Sequence, residues 1–117
     1  MLIKRPQILV INPNSNQEVT KVIAKELQSF NFSDGPEIVC EDLPEGPFGI
    51  ESQADIESVK LPLRNIVSER IDIDAFVIAC YSDPGLQVCR EATDRPVFGI
   101  QECGVLTAMA QADKFGV

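Results

Sequence analysis

The sequence predicts an α/β fold, a flavodoxin-like three-layer sandwich built on a four-stranded parallel sheet. Four short apolar runs alternate with segments of helical periodicity, and this alternation is typical of a parallel sheet with right-handed helical crossovers. The chain has 117 residues, 44% of them hydrophobic and 24% charged, which suffices for one domain with a real core.

The first strand and helix follow each other closely. QILVIN (Gln7 to Asn12) is a nearly continuous β-branched run, as expected for a strand covered on both faces. The turn-rich tetrad PNSN follows, and Ser15 with Glu18 three residues later forms a capping-box pattern that starts a helix. Apolar side chains then recur at helical spacing on one face: Val19, Val22, Ile23, Leu27 and Phe30.

The middle of the chain predicts a strand, a long loop and a helix. PEIVCE (Pro36 to Glu41) is the second strand, and DLPEGPFGIES (Asp42 to Ser52) has too many prolines and glycines for a regular element. A loop of this length is often a lid or a binding loop, and the alternative is a surface loop without a function. The helical pattern that follows is interrupted by Pro62, which predicts a kink or a break into two helices.

A third strand and a third helix are predicted next. DAFVIAC (Asp74 to Cys80) is a buried strand, and the helix runs over Asp83 to Ala92. Ser82 or Asp83 would cap this helix, with Pro84 near its first position, where proline is tolerated.

The last predicted elements are a short strand, PVFGI (Pro96 to Ile100), and a helix over Glu102 to Ala112. This final helix is expected to turn four side chains inward: Val105, Leu106, Met109 and Ala112. Residues 1–113 are therefore interpreted as one α/β lobe. KFGV (Lys114 to Val117) is interpreted as the start of a linker or strand leading to a further lobe that this sequence lacks.

Composition excludes several classes of partner. The net charge is −8, and the sequence has no cluster of Lys and Arg that could bind a nucleic-acid backbone or an anionic membrane. No apolar run approaches the roughly 20 residues of a membrane helix, so a cytoplasmic location is the default expectation. The four cysteines lack CxxC spacing and the chain has no histidine, which argues against a zinc site and favours four reduced thiols.

Cys80 is the leading candidate for chemistry. It closes the third predicted strand and opens into the turn YSDPG, at the sheet edge where α/β folds bind ligands and beside a helix start that favours a thiolate. Burial as a small residue at a strand end is the competing interpretation. Cys40, Cys89 and Cys103 are interpreted as packing residues.

Asn14 follows the first predicted strand and would lie near Cys80 in a parallel sheet. Two roles are open for it: binding a ligand, or forming the turn and helix cap, which asparagine does well. Neither GxGxxG nor GxxxxGK[ST] follows that strand, so a nucleotide is not expected. A phospho-accepting receiver domain would need an aspartate at position 80, and the chain has cysteine there.

Four stretches together resemble the Asp/Glu/hydantoin racemase superfamily, in its hydantoin and allantoin racemase branch. They are ILVINPNSN (Ile8 to Asn16), GPFGIES (Gly46 to Ser52), DAFVIACYSDPGL (Asp74 to Leu86) and PVFGIQE (Pro96 to Glu102). The resemblance covers essentially the whole chain but only about half of a typical member, the N-terminal lobe.

This resemblance implies a cofactor-independent racemase of hydantoins, allantoin or related amino-acid derivatives. Two cysteines, one from each lobe, move a proton at the carbon next to a carbonyl. Cys80 matches the catalytic cysteine of the first lobe, Tyr81 and Ser82 match positions that hold substrate oxygens, and Asn14 matches a polar position of the same pocket. Gly46 to Ser52 resembles a loop near the substrate, and no chemical role is assigned to Glu51 from that.

The second lobe and its cysteine are absent from this sequence, and Cys103 is no substitute for them. The isolated chain is therefore expected to be weakly active or inactive. The alternatives are a non-catalytic lobe that binds a small molecule or dimerises as a homo-oligomer, and another superfamily enzyme such as a maleate isomerase or an arylmalonate decarboxylase. The decarboxylases use a single cysteine in the second lobe, so a thiol at position 80 favours a racemase or isomerase.

Overall fold

The computed structural model describes residues 4–117 and contains four strands and four α-helices. The strands are β1 (Gln7–Asn12), β2 (Glu37–Asp42), β3 (Ala75–Ile78) and β4 (Val97–Gly99). The helices are α1 (Gln17–Leu27), α2 (Gln53–Glu69), α3 (Leu86–Glu91) and α4 (Ile100–Gln111), and a short 3-10 turn (Gln28–Phe30) extends α1.

The four strands form one parallel sheet in the order β2-β1-β3-β4. This confirms the predicted α/β architecture and its parallel sheet. Because every strand runs the same way, the loops that follow β1, β2, β3 and β4 all lie at one edge of the sheet, the carboxyl edge.

The hydrophobic core lies on one face of the sheet. Alternate side chains of the two central strands, Leu9 and Ile11 of β1 with Phe76 and Ile78 of β3, are fully buried there. Helices α2 and α3 cover this face with a further set of buried residues: Val59, Leu63, Val67, Leu86 and Cys89. The opposite face carries α1, which lies against β2.

Two local predictions on the first half of the chain need correction. The N-cap of α1 is Asn16, whose Oδ1 accepts from the Glu18 N–H at 3.1 Å, and not Ser15. Pro62 lies inside α2, which runs without interruption from Gln53 to Glu69, so a break into two helices is wrong. The helix tolerates the lost N–H because its buried face, Val59, Leu63 and Val67, is held against the sheet.

Two predictions on the second half are also wrong. Helix α3 begins at Leu86, three residues later than predicted, and its N-cap is Gly85 in a left-handed conformation (φ 73°). Neither Ser82 nor Asp83 caps it. In α4 no residue is buried, and the side chains expected to turn inward include Leu106 and Met109, which are 58% and 61% exposed. The apolar stripe exists, but no described element covers it.

Within residues 4–117, no helix combines the length and apolar character that crossing a membrane requires.

Candidate active site at the carboxyl edge of the sheet

Cys80 lies two residues beyond the end of β3, at the carboxyl edge of the sheet. Its neighbour Ala79 donates its N–H to the Ile11 carbonyl at 2.8 Å, which continues the pairing of β3 with β1 up to the cysteine. The thiol is partly buried, and its Sγ lies 3.4 Å from Ser82 Oγ, a hydrogen bond in which either atom can donate. The thiol therefore lies at the surface of the sheet edge, next to a hydroxyl.

A cleft of about 420 Å³ opens at this thiol. Cys80, Tyr81 and Ser82 line one side of it. The other side comes from the end of the long loop and the first turn of α2: Ile50, Glu51, Ser52, Gln53 and Ile56. A second cleft, of about 650 Å³, shares Ser82 with the first and continues along α3. The site thus combines a thiol, hydroxyls, an amide, a carboxylate and two isoleucines.

The turn after Cys80, which lines the cleft, contains two backbone N–H groups without a protein acceptor among residues 4–117. The Asp83 N–H closes the turn by donating to the Cys80 carbonyl at 3.0 Å. Within residues 4–117, no protein acceptor pairs with the N–H of Tyr81 or of Ser82. Two adjacent free N–H groups beside a thiol form the kind of arrangement that stabilises a developing oxyanion.

Asp83 fixes this turn to the start of α4. Its backbone is in the left-handed region (φ 48°), which aspartate tolerates better than most residues. Its carboxylate oxygens accept from the N–H groups of Gln101 and Glu102 at 2.9 Å each. Asp83 therefore satisfies two of the unpaired N–H groups at the start of α4, the helix that follows β4, and none at the start of α3.

Gly99 makes this connection possible. A Cβ at position 99 would lie 2.6 Å from Asp83 Oδ2 and closer still to the rest of that carboxylate. Its own backbone (φ −104°, ψ 139°) is extended and suits any residue, so glycine is required here by the close approach and not by the backbone conformation.

Asn14 lies at the neighbouring strand end but does not line the cleft at Cys80. Its Oδ1 accepts from Asn12 Nδ2 at 2.8 Å and from the Asn16 N–H at 2.9 Å. Asn12 is 2% exposed and also donates to Thr20 Oγ1 at 3.1 Å. The two asparagines therefore build the loop after β1, and the Asn14 Nδ2 pairs with no protein acceptor within residues 4–117.

The loop after β1 and the long loop after β2 form one unit. The Leu43 N–H donates to the Asn14 carbonyl at 2.9 Å, and the Ser15 N–H donates to the Pro47 carbonyl at 2.8 Å. Gly46 lies so close to the first loop that a Cβ on it would lie 3.0 Å from the Pro13 oxygen. The long loop is therefore tied down at its start and delivers Glu51 and Ser52 to the cleft.

The other three cysteines lie away from this cleft. Cys89 is fully buried, as predicted, and burial raises its pKa to about 11. Cys40 is half-buried in β2, where burial also raises its pKa. Cys103 is exposed on α4, so its prediction as a packing residue is wrong.

Sequence reasoning did not assign Gln53 and Ile56 to the site. A signal for them was present, because Ser52 followed three residues later by Asp55 is an N-cap pattern, and Ser52 Oγ does accept from the Asp55 N–H at 3.1 Å. A helix that starts directly after the loop must place its first turn at the carboxyl edge. Within residues 4–117, no three His, Cys, Asp or Glu side chains are grouped so as to hold a metal ion.

The chain is thus a parallel α/β lobe with a partly buried thiol at the carboxyl edge of its sheet. The family model for Asp/Glu/hydantoin racemases matches residues 8–117, and the chain belongs to this family. It is 43% identical over 114 residues to a hydantoin racemase of Pseudomonas sp. strain NS671, a match that covers 95% of this chain and 45% of that protein.

Two solved structures have the same fold. Allantoin racemase from Klebsiella pneumoniae superposes with a TM-score of 0.81 and 29% identity, over 90% of this chain and 43% of that one. Allantoin racemase from Pseudomonas fluorescens superposes with a TM-score of 0.83 and 26% identity, over 93% of this chain and 46% of that one. The chain spans about half the length of the curated relatives it matches.

Proposed function

We propose that this chain is the first lobe of a cofactor-independent racemase acting on hydantoins, allantoin or related amino-acid derivatives, with Cys80 as one of its two acid–base thiols. The observation that carries the proposal is the partly buried Cys80 thiol at the carboxyl end of β3, opening onto a cleft. The names of the relatives supply the substrate class. Residues 1–113 would form the lobe, and residues 114–117 would lead to the lobe that supplies the second thiol.

The proposed reaction moves one proton. The Cys80 thiolate takes the hydrogen from the carbon next to the substrate carbonyl, and the C–H electron pair moves into the carbonyl to give an enolate. A second thiol on the opposite face returns a proton to that carbon, the carbonyl re-forms and the configuration is inverted. No step requires an electron acceptor or a bound cofactor, because the carbonyl itself accepts the charge.

The enolate oxygen needs donors, and the free N–H groups of Tyr81 and Ser82 support this role for the turn after Cys80. The Ser82 hydroxyl, 3.4 Å from the thiol, would accept or donate as the sulfur changes its protonation state. Asn14 would bind substrate through its Nδ2, the one atom of that amide not used by the loop.

The test is hydrogen exchange in D₂O. An enantiopure 5-substituted hydantoin, and separately allantoin, is incubated with the 117-residue chain. Deuterium at the chiral carbon is followed by mass spectrometry and optical purity by chiral chromatography. With one thiol present, we expect exchange above the buffer rate with little inversion. Cys80→Ser should abolish the excess exchange, and Cys103→Ser should retain it as the matched control.

Each outcome separates the proposal from its rivals. Excess exchange that persists in Cys80→Ser contradicts the role of this thiol. Absence of exchange, combined with protection of Cys80 from iodoacetamide by the hydantoin, identifies a binding lobe without chemistry. Absence of both exchange and protection removes this substrate class.

A further inference from the structure

The two clefts beside Cys80 form one continuous groove with a charge of opposite sign in each part. Three residues line both clefts: Gln53, Ile56 and Ser82. The cleft at the thiol has one charged lining residue, Glu51. The second cleft contains Lys60. The groove therefore offers a ligand a carboxylate in one part and an ammonium group in the other.

Glu51 is held at the thiol end of the groove by the start of α2. Its N–H donates to Asp55 Oδ2 at 3.0 Å, and Ser52 Oγ, the N-cap of α2, accepts from the Asp55 N–H at 3.1 Å. The Glu51 carboxylate is exposed and forms neither an ion pair nor a hydrogen bond within residues 4–117. Because a carboxylate only accepts hydrogen bonds, this end of the groove suits a ligand with N–H groups.

Glu57 orders the polar side chains that α2 contributes to the groove. Its Oε1 accepts from Gln53 Nε2 and from Lys60 Nζ, each at 2.9 Å. With its Nε2 occupied, Gln53 keeps its Oε1 as a second acceptor near Glu51. Lys60 keeps two further N–H groups as donors. The groove is therefore an acceptor at Glu51 and Gln53 and a donor at Lys60.

Lys60 lies against the turn between the thiol and α3. A Cβ at Gly85 would lie 3.3 Å from Lys60 Cα, so α2 approaches this turn closely at that residue. Asp83 also lines the second cleft, but both of its carboxylate oxygens already accept from N–H groups at the start of α4. Gln87 and Gln101 add two amides to the lining. Among the residues that line the groove, Lys60 is the cation available to a ligand.

We propose that Glu51 and Lys60 are specificity-determining residues of the proposed racemase site. Together they select a cyclic ureide whose chiral carbon carries a polar substituent with its own carbonyl group. The ring N–H groups would donate to Glu51 and Gln53, and the substituent carbonyl would accept from Lys60. This inference rests on the proposed function, because it concerns the substrate of the same site.

The dimensions and the chemistry of the groove support this selection. From Ser52 to Lys60 the helix rises about 12 Å, and the long side chains of Glu51 and Lys60 shorten the gap to the size of a substituted five-membered ring. An apolar substituent in the second cleft would displace water from Lys60 and the glutamine amides without replacing its hydrogen bonds. That loss lowers the affinity for hydantoins with an apolar side chain.

Two ligands of equal size test this preference. Allantoin carries a ureido group on the chiral carbon of hydantoin, and 5-isobutylhydantoin carries an apolar group with the same number of heavy atoms and the same branching. Each ligand is titrated against the 117-residue chain. Its dissociation constant is taken from the slowing of Cys80 alkylation by iodoacetamide, followed by peptide mapping. Allantoin should bind about tenfold more tightly, as one added hydrogen bond to a charged group does.

Two variants separate the two parts of the groove. Lys60→Met keeps a long side chain without the charge, so it should weaken allantoin about tenfold and leave 5-isobutylhydantoin unchanged. Glu51→Gln should weaken both ligands alike, about fivefold, because they share the same ring N–H groups. Lys21→Met is the matched control, since Lys21 pairs with Glu18 three residues away on α1, as Lys60 pairs with Glu57 on α2. It should change neither dissociation constant.

The outcomes distinguish this inference from the proposed function. Equal binding of the two ligands, a preference that survives Lys60→Met, or an unchanged affinity in Glu51→Gln overturns the selection and leaves the racemase site standing. Failure of both ligands to protect Cys80 overturns the proposed function together with this inference. Each variant is compared with its own alkylation rate without ligand, so a change in thiol reactivity does not enter the dissociation constants.

Discussion

Gly99→Ala should destabilise the protein through Asp83. The new methyl carbon would lie within 2.6 Å of Asp83 Oδ2, so the carboxylate must move away. It would then lose its two hydrogen bonds of 2.9 Å to the N–H groups of Gln101 and Glu102. The turn that carries Cys80 would lose its attachment to α4 at the same time.

The expected magnitude follows from two opposing effects. Losing a carboxylate cap from a helix N-terminus costs about 1–2 kcal/mol, since water replaces part of the interaction at a half-exposed site. Replacing glycine by alanine in a compatible extended backbone gains about 0.4–1 kcal/mol through the unfolded chain. Gly99→Ala should therefore lower the free energy of unfolding by about 1 kcal/mol.

A double-mutant cycle with Asp83→Ala checks this reasoning by urea unfolding. Without the carboxylate the steric conflict is gone, so Gly99→Ala should be neutral or stabilising in the Asp83→Ala background. The effects of Gly99→Ala in the two backgrounds should therefore differ by a coupling energy of about 1.5 kcal/mol. Gly104→Ala, with no atom within 4 Å of its added Cβ, is the control and should stabilise both backgrounds alike. An equal cost of Gly99→Ala with and without Asp83 would refute the argument.

Three further predictions concern the thiols and the core. Iodoacetamide should label exposed Cys103 and partly buried Cys80 well before buried Cys89, as peptide mapping would show. Burial raises the pKa of Cys89 to about 11, so the folded state favours the neutral thiol. The stability that this thiol contributes is complete below pH 9 and is lost as the pH rises through 11. The free energy of unfolding, measured with urea, should therefore fall less steeply with rising pH in Cys89→Ala than in the wild type. Leu63→Ala, at a fully buried position, should lower the free energy of unfolding by about 2–5 kcal/mol, measured at neutral pH.

The strands were predictable because their signal is local. Gln7–Asn12 has the predicted bounds, and the other three strands fall within a residue or two of the apolar runs. Buried β-branched runs flanked by turn residues have few alternative structures. The position of Cys80 at a strand end follows directly from this.

Helix starts were less predictable because neighbouring residues compete for the same donors. Ser15 and Asn16 can both cap α1, and Asn16 does so, while the Ser15 N–H donates to the carbonyl of Pro47, a partner far away in sequence. Asp83 has the sequence context of a cap for α3. Its carboxylate instead reaches Gln101 and Glu102, eighteen and nineteen residues away, and local pattern carries no signal for such a contact.

The burial of α4 was mispredicted for a different reason. Periodicity identifies an apolar stripe on a helix but not the surface that will cover it. Leu106 and Met109 have the spacing of core residues, and the described part of the chain offers them no partner. The same limit applies to the cleft, whose second side depends on how the loop after β2 folds back over the sheet edge.

The attachment of Asp83 to α4 joins the turn that holds the thiol to a second surface of the chain. The turn that holds the thiol and the helix that carries the apolar stripe share one carboxylate, so a change in the orientation of α4 acts on the Cys80 turn through two hydrogen bonds. Linkage is reciprocal. Whatever fixes the turn would therefore also restrict α4, and whatever holds α4 would restrict the turn, by the same free energy.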